Sequence, residues 1–412
     1  MNIRFLGGAS EVGRSAFLIN EELLLDYGIK PTEPPSYPQN GMRPKSIIIS
    51  HGHLDHCGLI PNLVDLEPEI YSTVMTSRLT GLLAKDTLKI AQYRGHVIPY
   101  YNDEIQEFER KVNHVNYRKE FETNGYFVCF FDAGHIPGSS MIHLEKDKKS
   151  LFYTGDVNLI PTELQNGADK ELPEADVLMI ESTYFGKDHT PRKLLEERFI
   201  ESVKETVDSG GCALIPVFSI GRTQEIMMIL KKYGLNAHVD GMGVDVYNLM
   251  KRSPEFVKDP KMLDKAFTGS NIVDPEERKR ILKNPSIIVT SAGMLNGGPV
   301  LYYIREIYDD PKSKIHLTGY QAQDTNGRKL LESGYIEDKN DRIHLNCRAE
   351  LYDFSAHSGD VQLRRMVREF CDSGTEIVFT VHGDNTEGFA EWIREELGVE
   401  SKAPVNGETI YI

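Results

Sequence analysis

An α/β fold is the class this sequence predicts, on three observations. Short apolar runs alternate along the chain with longer stretches of helical spacing. Runs such as 46–49 and 177–180 are continuously apolar rather than alternating, which fits a sheet covered on both faces. The composition is that of an ordinary globular protein, with 40% hydrophobic and 26% charged residues in 412. That length suits two or three domains, at roughly 150 residues each.

The elements follow in order. Residues 2–6 read as a strand that stops at Gly7-Gly8. Two more strands, 15–19 and Leu23–Leu25, flank the polar turn Asn20-Glu21-Glu22, and the second ends on Asp26. Residues 31–44, rich in Pro, Ser, Gln, Asn and Gly, form a surface loop. The strand 46–49 runs directly towards His51, and helical spacing follows over 58–66, 75–92 and 103–110. Strands return at 127–131, 141–144, 150–153 and 177–180. The stretch Gly186-Lys187-Asp188-His189-Thr190-Pro191 reads as a linker and a helix start. Beyond it come a helix at 192–208, a strand at 213–216, a helix at 221–232, the strand Ser286–Thr290 and a helix at 324–333. Near the end, Ile377–Val381 is a strand and 386–397 an amphipathic helix that packs Trp392 on the sheet.

Charge divides the chain the same way. Lys plus Arg is 47 and Asp plus Glu is 62, a net of −15, which argues against a generally basic nucleic-acid-binding surface but not against a local positive channel. Residues 188–345 hold 23 of each sign, so the flanks, with 24 positive and 39 negative, carry the whole imbalance. The middle block is therefore expected to be a separate domain, and its Lys and Arg between 192 and 283 the best source of a basic path. No apolar run approaches the roughly 18 residues of a membrane span, and no charged-then-apolar leader opens the chain. The cysteines, Cys57, Cys129, Cys212, Cys347 and Cys371, are odd in number, scattered and never spaced Cys-x-x-Cys. No disulfide framework or cysteine zinc knuckle is expected, and a reducing cytoplasm is the simplest compartment.

The chemistry concentrates in Ser50-His51-Gly52-His53-Leu54-Asp55-His56-Cys57-Gly58. Four ionisable groups crowded on one loop after an apolar strand repel or stay unsatisfied without a cation. Imidazole and carboxylate are ligands for zinc and related divalent metals. On a loop leaving a sheet, His51 and His53 point one way and Asp55 and His56 another, which supplies two neighbouring metal sites. Further ligands stand in like positions: His135 after the strand 127–131, and Asp156 after 150–153, where a carboxylate could bridge both ions. Asp26, also at a strand end, could orient a ligand or a metal-bound water.

This set resembles the metallo-β-lactamase superfamily, whose four motifs Asp26, His51-Gly-His53-Leu-Asp55-His56, His135 and Asp156 match in order. Glu181 in Ile180-Glu181-Ser182-Thr183-Tyr184, His357 in Phe354-Ser355-Ala356-His357-Ser358-Gly359 and His382 in Val381-His382-Gly383-Asp384 look like the three additional motifs of its β-CASP group, which acts on nucleic acids. Pro216 to Glu225, Ser291-Ala292-Gly293-Met294 and Thr318-Gly319-Tyr320-Gln321 look like its inserted domain. Within that group, His-Leu-Asp-His-Cys-Gly-Leu-Ile-Pro is similar to the nuclease subunit of the cleavage and polyadenylation specificity factor and its short archaeal homologues. The resemblance implies a metallo-β-lactamase αββα sandwich built from 1–187 and 346–412, with a βα β-CASP domain inserted at 188–345. The KH modules of longer archaeal relatives and the C-terminal domain of bacterial RNase J have no counterpart in these residues, so nothing those extensions contribute is expected.

The resemblance also implies two zinc ions, one on His51, His53 and His135, the other on Asp55, His56 and His382, with Asp156 bridging. Glu181 and His357 would pair beside the scissile phosphate, His357 as general acid. The expected partner is single-stranded RNA in the cleft between the domains, cut by an endonuclease, a 5′-to-3′ exonuclease or both. Relatives suggest a homodimer. The loops carrying Ser219, Arg222, Ser291 and Gly293 are candidates for holding substrate phosphates, with glycines allowing close backbone approach. The alternative is a hydrolase of a small ester or thioester, for which an insertion of about 160 residues has no evident use. An inactive scaffold would be expected to have lost ligands, and all seven are present.

Overall fold

The structure is a computed structural model describing residues 1–338 and 341–412. It divides into two compact units: Met1–Pro161 with Gln165–Asp188 and Ala356–Ile412, and Thr162–Leu164 with His189–Ser355. The return to the first unit comes at 355/356, later than the expected 345/346. The reason is that Arg348–Leu351 pairs as an edge strand with Lys314–Leu317 in the second unit.

The first unit holds two seven-stranded sheets. In spatial order the first is Thr409–Tyr411, Asn2–Gly7, Ala16–Ile19, Leu23–Leu25, Ser46–Ile48, Glu69–Ser72 and Val112–His114. The second is Glu400–Lys402, Ile377–Val381, Val177–Glu181, Lys149–Tyr153, Ser140–Lys146, Tyr126–Asp132 and Phe121–Thr123. The sheets pack face to face through aromatic rings: Phe5 meets Phe379 at 5.6 Å and Phe17 meets Tyr153 at 5.6 Å. On its other face the second sheet buries Phe152, Leu178, Ile180 and Val378. Covering them are Leu363, Met366, Val367 and Phe370 of the helix Asp360–Asp372, and Phe389 and Ile393 of Thr386–Leu397, which also lays Trp392 against this core. The apolar strands of the second sheet are thus buried on both faces because it has the first sheet on one side and helices on the other. The expected αββα sandwich is the architecture of this unit. The expected helix at 58–66 is a 3₁₀ segment, Ile60–Leu66, with Pro61 in its first turn.

The second unit is built on a fully parallel six-stranded sheet, ordered Asn271–Ile272, His238–Asp240, Ser286–Thr290, Cys212–Pro216, Lys314–Leu317, Arg348–Leu351. Leu214, Ile288, Ile315 and Leu317 of its strands pack on Val300, Tyr303 and Ile304 of the helix Val300–Ile307. Glu225, on the helix Arg222–Lys232, fastens Thr162–Leu164 to this unit. Its carboxylate accepts the backbone N–H of Glu163 at 3.0 Å and of Leu164 at 2.7 Å, and pairs with Arg192. Burial alone would raise this carboxyl, but Arg192, those N–H groups and Arg222 hold it below its ordinary value of 4.5. Its stabilisation is therefore complete above that value and fades as the pH falls below it. Glu225→Gln is expected to cost about 3 kcal/mol at neutral pH. Denaturant curves should show the variant and the wild type converging as the pH drops below 4.5.

Candidate metal centre

The parallel strands of the first unit place the functional side chains. Tyr126–Asp132, Lys149–Tyr153, Val177–Glu181 and Ile377–Val381 run in one direction, so His135, Asp156, Glu181 and His382 all emerge at one edge of the second sheet. From the first sheet, Leu23–Leu25 ends at Asp26 and Ser46–Ile48 leads into the loop at 50–57, whose last residues make a one-turn helix, Leu54–Cys57. Residues 27–29 lace that turn in place: Tyr27 N–H donates to His56 O at 2.8 Å and Ile29 N–H to Leu54 O at 2.9 Å. Only a glycine fits between them, because a Cβ on Gly28 would lie 1.8 Å from the Asp55 carbonyl oxygen. On the other side, Thr73 and Thr76 hydroxyls both donate to the Gly138 carbonyl at 2.8 Å, fixing the loop that carries His135.

Two ligand sets result. His51, His53, His135 and Asp156 form one, and Asp55, His56 and His382 the other, each with its ligand atoms within 4.8 Å of one another. In the first, His135 Nε2 is 3.0 Å from His53 Nδ1, and Asp156 Oδ2 is 3.4 Å from His51 Nε2 and 3.6 Å from His135 Nε2. In the second, His56 Nε2 and His382 Nε2 are 3.3 Å apart, and His382 Nε2 is 3.3 Å from Asp55 Oδ2. The other oxygen of Asp156, Oδ1, is 3.3 Å from His56 Nε2, so this carboxylate faces both sets.

The opposite nitrogens are tied down. The Asp26 carboxylate takes His56 Nδ1–H at 2.8 Å, and the Ala356 carbonyl takes His135 Nδ1–H at 2.7 Å. With Nδ1 engaged in this way, each ring turns Nε2 towards the centre. Ser50 Oγ stands 3.1 Å from His51 Nδ1, and Thr183 Oγ1 3.3 Å from His382 Nδ1. His51 Nε2 and Asp156 Oδ1 are buried with no hydrogen-bond partner, which is the condition a cation relieves. Burial, with neighbouring histidines, keeps His51, His53 and His135 neutral, His53 down to about 3, the form in which imidazole ligates. Burial would raise Asp156, but His382 and His56 hold it well below its ordinary range. The residues present fit divalent cations.

Asp156, Glu181 and His357 also lie close enough to share an ion. Here, however, His357 Nδ1 already sits 3.0 Å from both Glu181 oxygens. Glu181 is in turn held by the Val157 N–H at 2.8 Å. Burial would lower His357, yet Glu181 and Asp156 push it up to about 9. This is the geometry of a proton-carrying pair.

All nine sequence-predicted residues of this centre thus come together in the first unit, with Asp26 beside them on His56 rather than among the ligand atoms. Ser50, Tyr153, Thr183 and the Ala356 carbonyl were not singled out from the sequence. Ser50 adjoins His51 and could have been found there, but the others depend on which strands become neighbours. Ser219, Ser291 and Gly293 lie in the second unit on loops leaving the carboxyl ends of adjacent parallel strands, and Arg222 opens the helix that follows the first of these loops. There Gly293 lies so near Phe218 that a Cβ would be 3.0 Å from its N, and Gln321 donates to the Gly293 carbonyl at 3.2 Å. That edge of a parallel sheet is where open α/β sheets bind ligands.

Three family profiles match in succession: a beta-lactamase superfamily domain over 25–206, a Beta-Casp domain over 223–330, and a Zn-dependent metallo-hydrolase RNA specificity domain over 342–404. The chain is 38% identical to RNase aCSPSF2 of Saccharolobus solfataricus, over 99% of this chain and 85% of the relative. It is also 38% identical to the probable RNase MJ4 of Methanocaldococcus jannaschii, over the whole of both. A solved structure of a protein of unknown function from Enterococcus faecalis V583 shares the fold, with a TM-score of 0.60 at 11% identity over 99% of each chain. The chain belongs to the β-CASP group of the metallo-β-lactamase superfamily, alongside these archaeal proteins.

Proposed function

We propose that this protein is a metal-dependent ribonuclease that hydrolyses phosphodiester bonds in single-stranded RNA. The observation that carries the reading is a carboxylate, Asp156, facing two convergent ligand sets beside an imidazole paired with Glu181. His51, His53, His135 and Asp156 would hold one Zn2+, and Asp55, His56, His382 and Asp156 a second. When bound, two such cations neutralise phosphate oxygens and acidify water. The chain's own groups do the rest. Asp26 orients His56, Glu181 keeps His357 protonated, and the His357 Nε2 proton is available to the leaving 3′-oxygen, so the product carries a 5′-phosphate. Ser219, Arg222, Ser291 and Gly293 hold phosphates of the strand, with Arg222 supplying the charge. The RNase names of the 38%-identical relatives support RNA over a small ester or thioester.

The test is a product map on a defined single-stranded RNA bearing a 5′-monophosphate, 5′-triphosphate or 5′-hydroxyl, with and without chelator, and a thioester in parallel. Cleavage that chelator abolishes, giving 5′-phosphate ends, is expected. The ladder separates internal cuts from 5′-to-3′ trimming. Thioester turnover with intact RNA would reject the ribonuclease reading.

A further inference from the structure

We propose that the Tyr153 hydroxyl is a positioning group for the second ligand set, acting through Asp26 on His56. The inference rests on the reading of the cluster as a metal centre. Tyr153 ends the strand Lys149–Tyr153, is 1% exposed, and packs edge-on against Phe17. Its hydroxyl donates to Asp26 Oδ2 at 2.8 Å. Asp26 is fully buried, and its carboxylate is saturated. Oδ1 takes the Ser50 N–H at 2.7 Å, and Oδ2 takes Ser50 Oγ–H at 2.7 Å as well as Tyr153 and His56.

The origins of these donors matter. Ser50 and His56 travel together on the loop that leaves the first sheet, and Asp26 belongs to that sheet as well. Tyr153 stands in the second sheet, three residues before Asp156, in the sheet that also presents His382. Its hydroxyl therefore ties the support of His56 to the sheet that supplies Asp156 and His382. The first set leans on Asp26 only indirectly, through the Ser50 hydroxyl beside His51, while His135 has a support of its own in the Ala356 carbonyl. Loss of the hydroxyl removes one of the three donors on Oδ2 of a fully buried carboxylate and frees Asp26 to turn, which moves the directly bonded His56 ring more than the first set.

Tyr153→Phe keeps the ring and its packing and removes only the hydroxyl. Apo wild type and variant are titrated with Zn2+ by calorimetry and with Co2+ by absorption, with ions counted by mass spectrometry. His53→Ala, which lacks a ligand of the first set, assigns the second-set signal. The expected result is two ions in wild type, with the variant holding the second about tenfold more weakly and the first affected much less. Unchanged affinity at both sets overturns the inference. So does equal weakening at both with a lower melting temperature of the apo protein, which is what a packing role alone would give. A wild-type chain that takes up no cation overturns the metal-centre reading and this inference with it.

Discussion

His357→Ala is expected to slow single-turnover RNA cleavage by about 10²- to 10⁴-fold while leaving the metal content at the wild-type level. Both halves follow from the geometry. The ring is bound at Nδ1 by a carboxylate that is itself 1% exposed and fixed by a backbone N–H, so its tautomer and orientation are set. Glu181 and Asp156 overcome the effect of burial and keep the imidazole charged at neutral pH. A charged donor beside the Asp156 carboxylate, with Nε2 3.9 Å from Asp156 Oδ2, would on the proposed reading protonate the leaving oxygen. The seven residues that would ligate do not include His357, so their ions should remain. If Asp156, Glu181 and His357 instead held an ion of their own, the count would fall in this variant, and its loss would remove His357 from proton transfer. The wild-type rate should also decline as rising pH deprotonates the imidazole, an alkaline limb that the variant lacks. That limb should lie no higher than about 9, because cations near Asp156 oppose a further positive charge.

Much of this centre is legible in the sequence because ligands crowd where strands stop. His51, His53, Asp55 and His56 are neighbours in the chain, and His135, Asp156 and His382 each follow an apolar run. The sequence carries less about what holds them. Tyr153 reads as one more apolar strand residue, and only the packing of the two sheets turns its hydroxyl towards Asp26. The Ala356 carbonyl has no side-chain signature at all. In the fold, the long periodic segments, 192–208 and 386–397, are legible to the residue. Short strands such as Glu69–Ser72, Val112–His114 and Arg348–Leu351 are not, since three or four half-polar residues carry no decisive period and sheet pairing alone defines them. The helix Asp360–Asp372 is not among the expected elements, although Leu363, Met366, Val367 and Phe370 stand at helical spacing.

Asp156→Asn is expected to empty both ligand sets, where His382→Ala empties one. The carboxylate turns Oδ1 towards His56 and Oδ2 towards His51 and His135. An amide of the same shape keeps one acceptor oxygen and presents N–H groups at the other end. Whichever way it lies, one set meets a donor where it needs a lone pair. The charge is lost to both sets as well, and two neighbouring cations repel strongly unless an anion lies between them. The variant should therefore bind fewer than about one ion per chain and lose cleavage by at least the factor seen for His357→Ala. The fold should survive, because Asp26 still partners His56. Chelator should lower the melting temperature of the wild type and leave that of Asp156→Asn unchanged, since only a chain that binds the ion is stabilised by it. His382→Ala leaves His51, His53, His135 and Asp156 intact and should retain one ion. Two ions counted in Asp156→Asn would show that the sets are filled independently, and the shared carboxylate would then have no part in holding them.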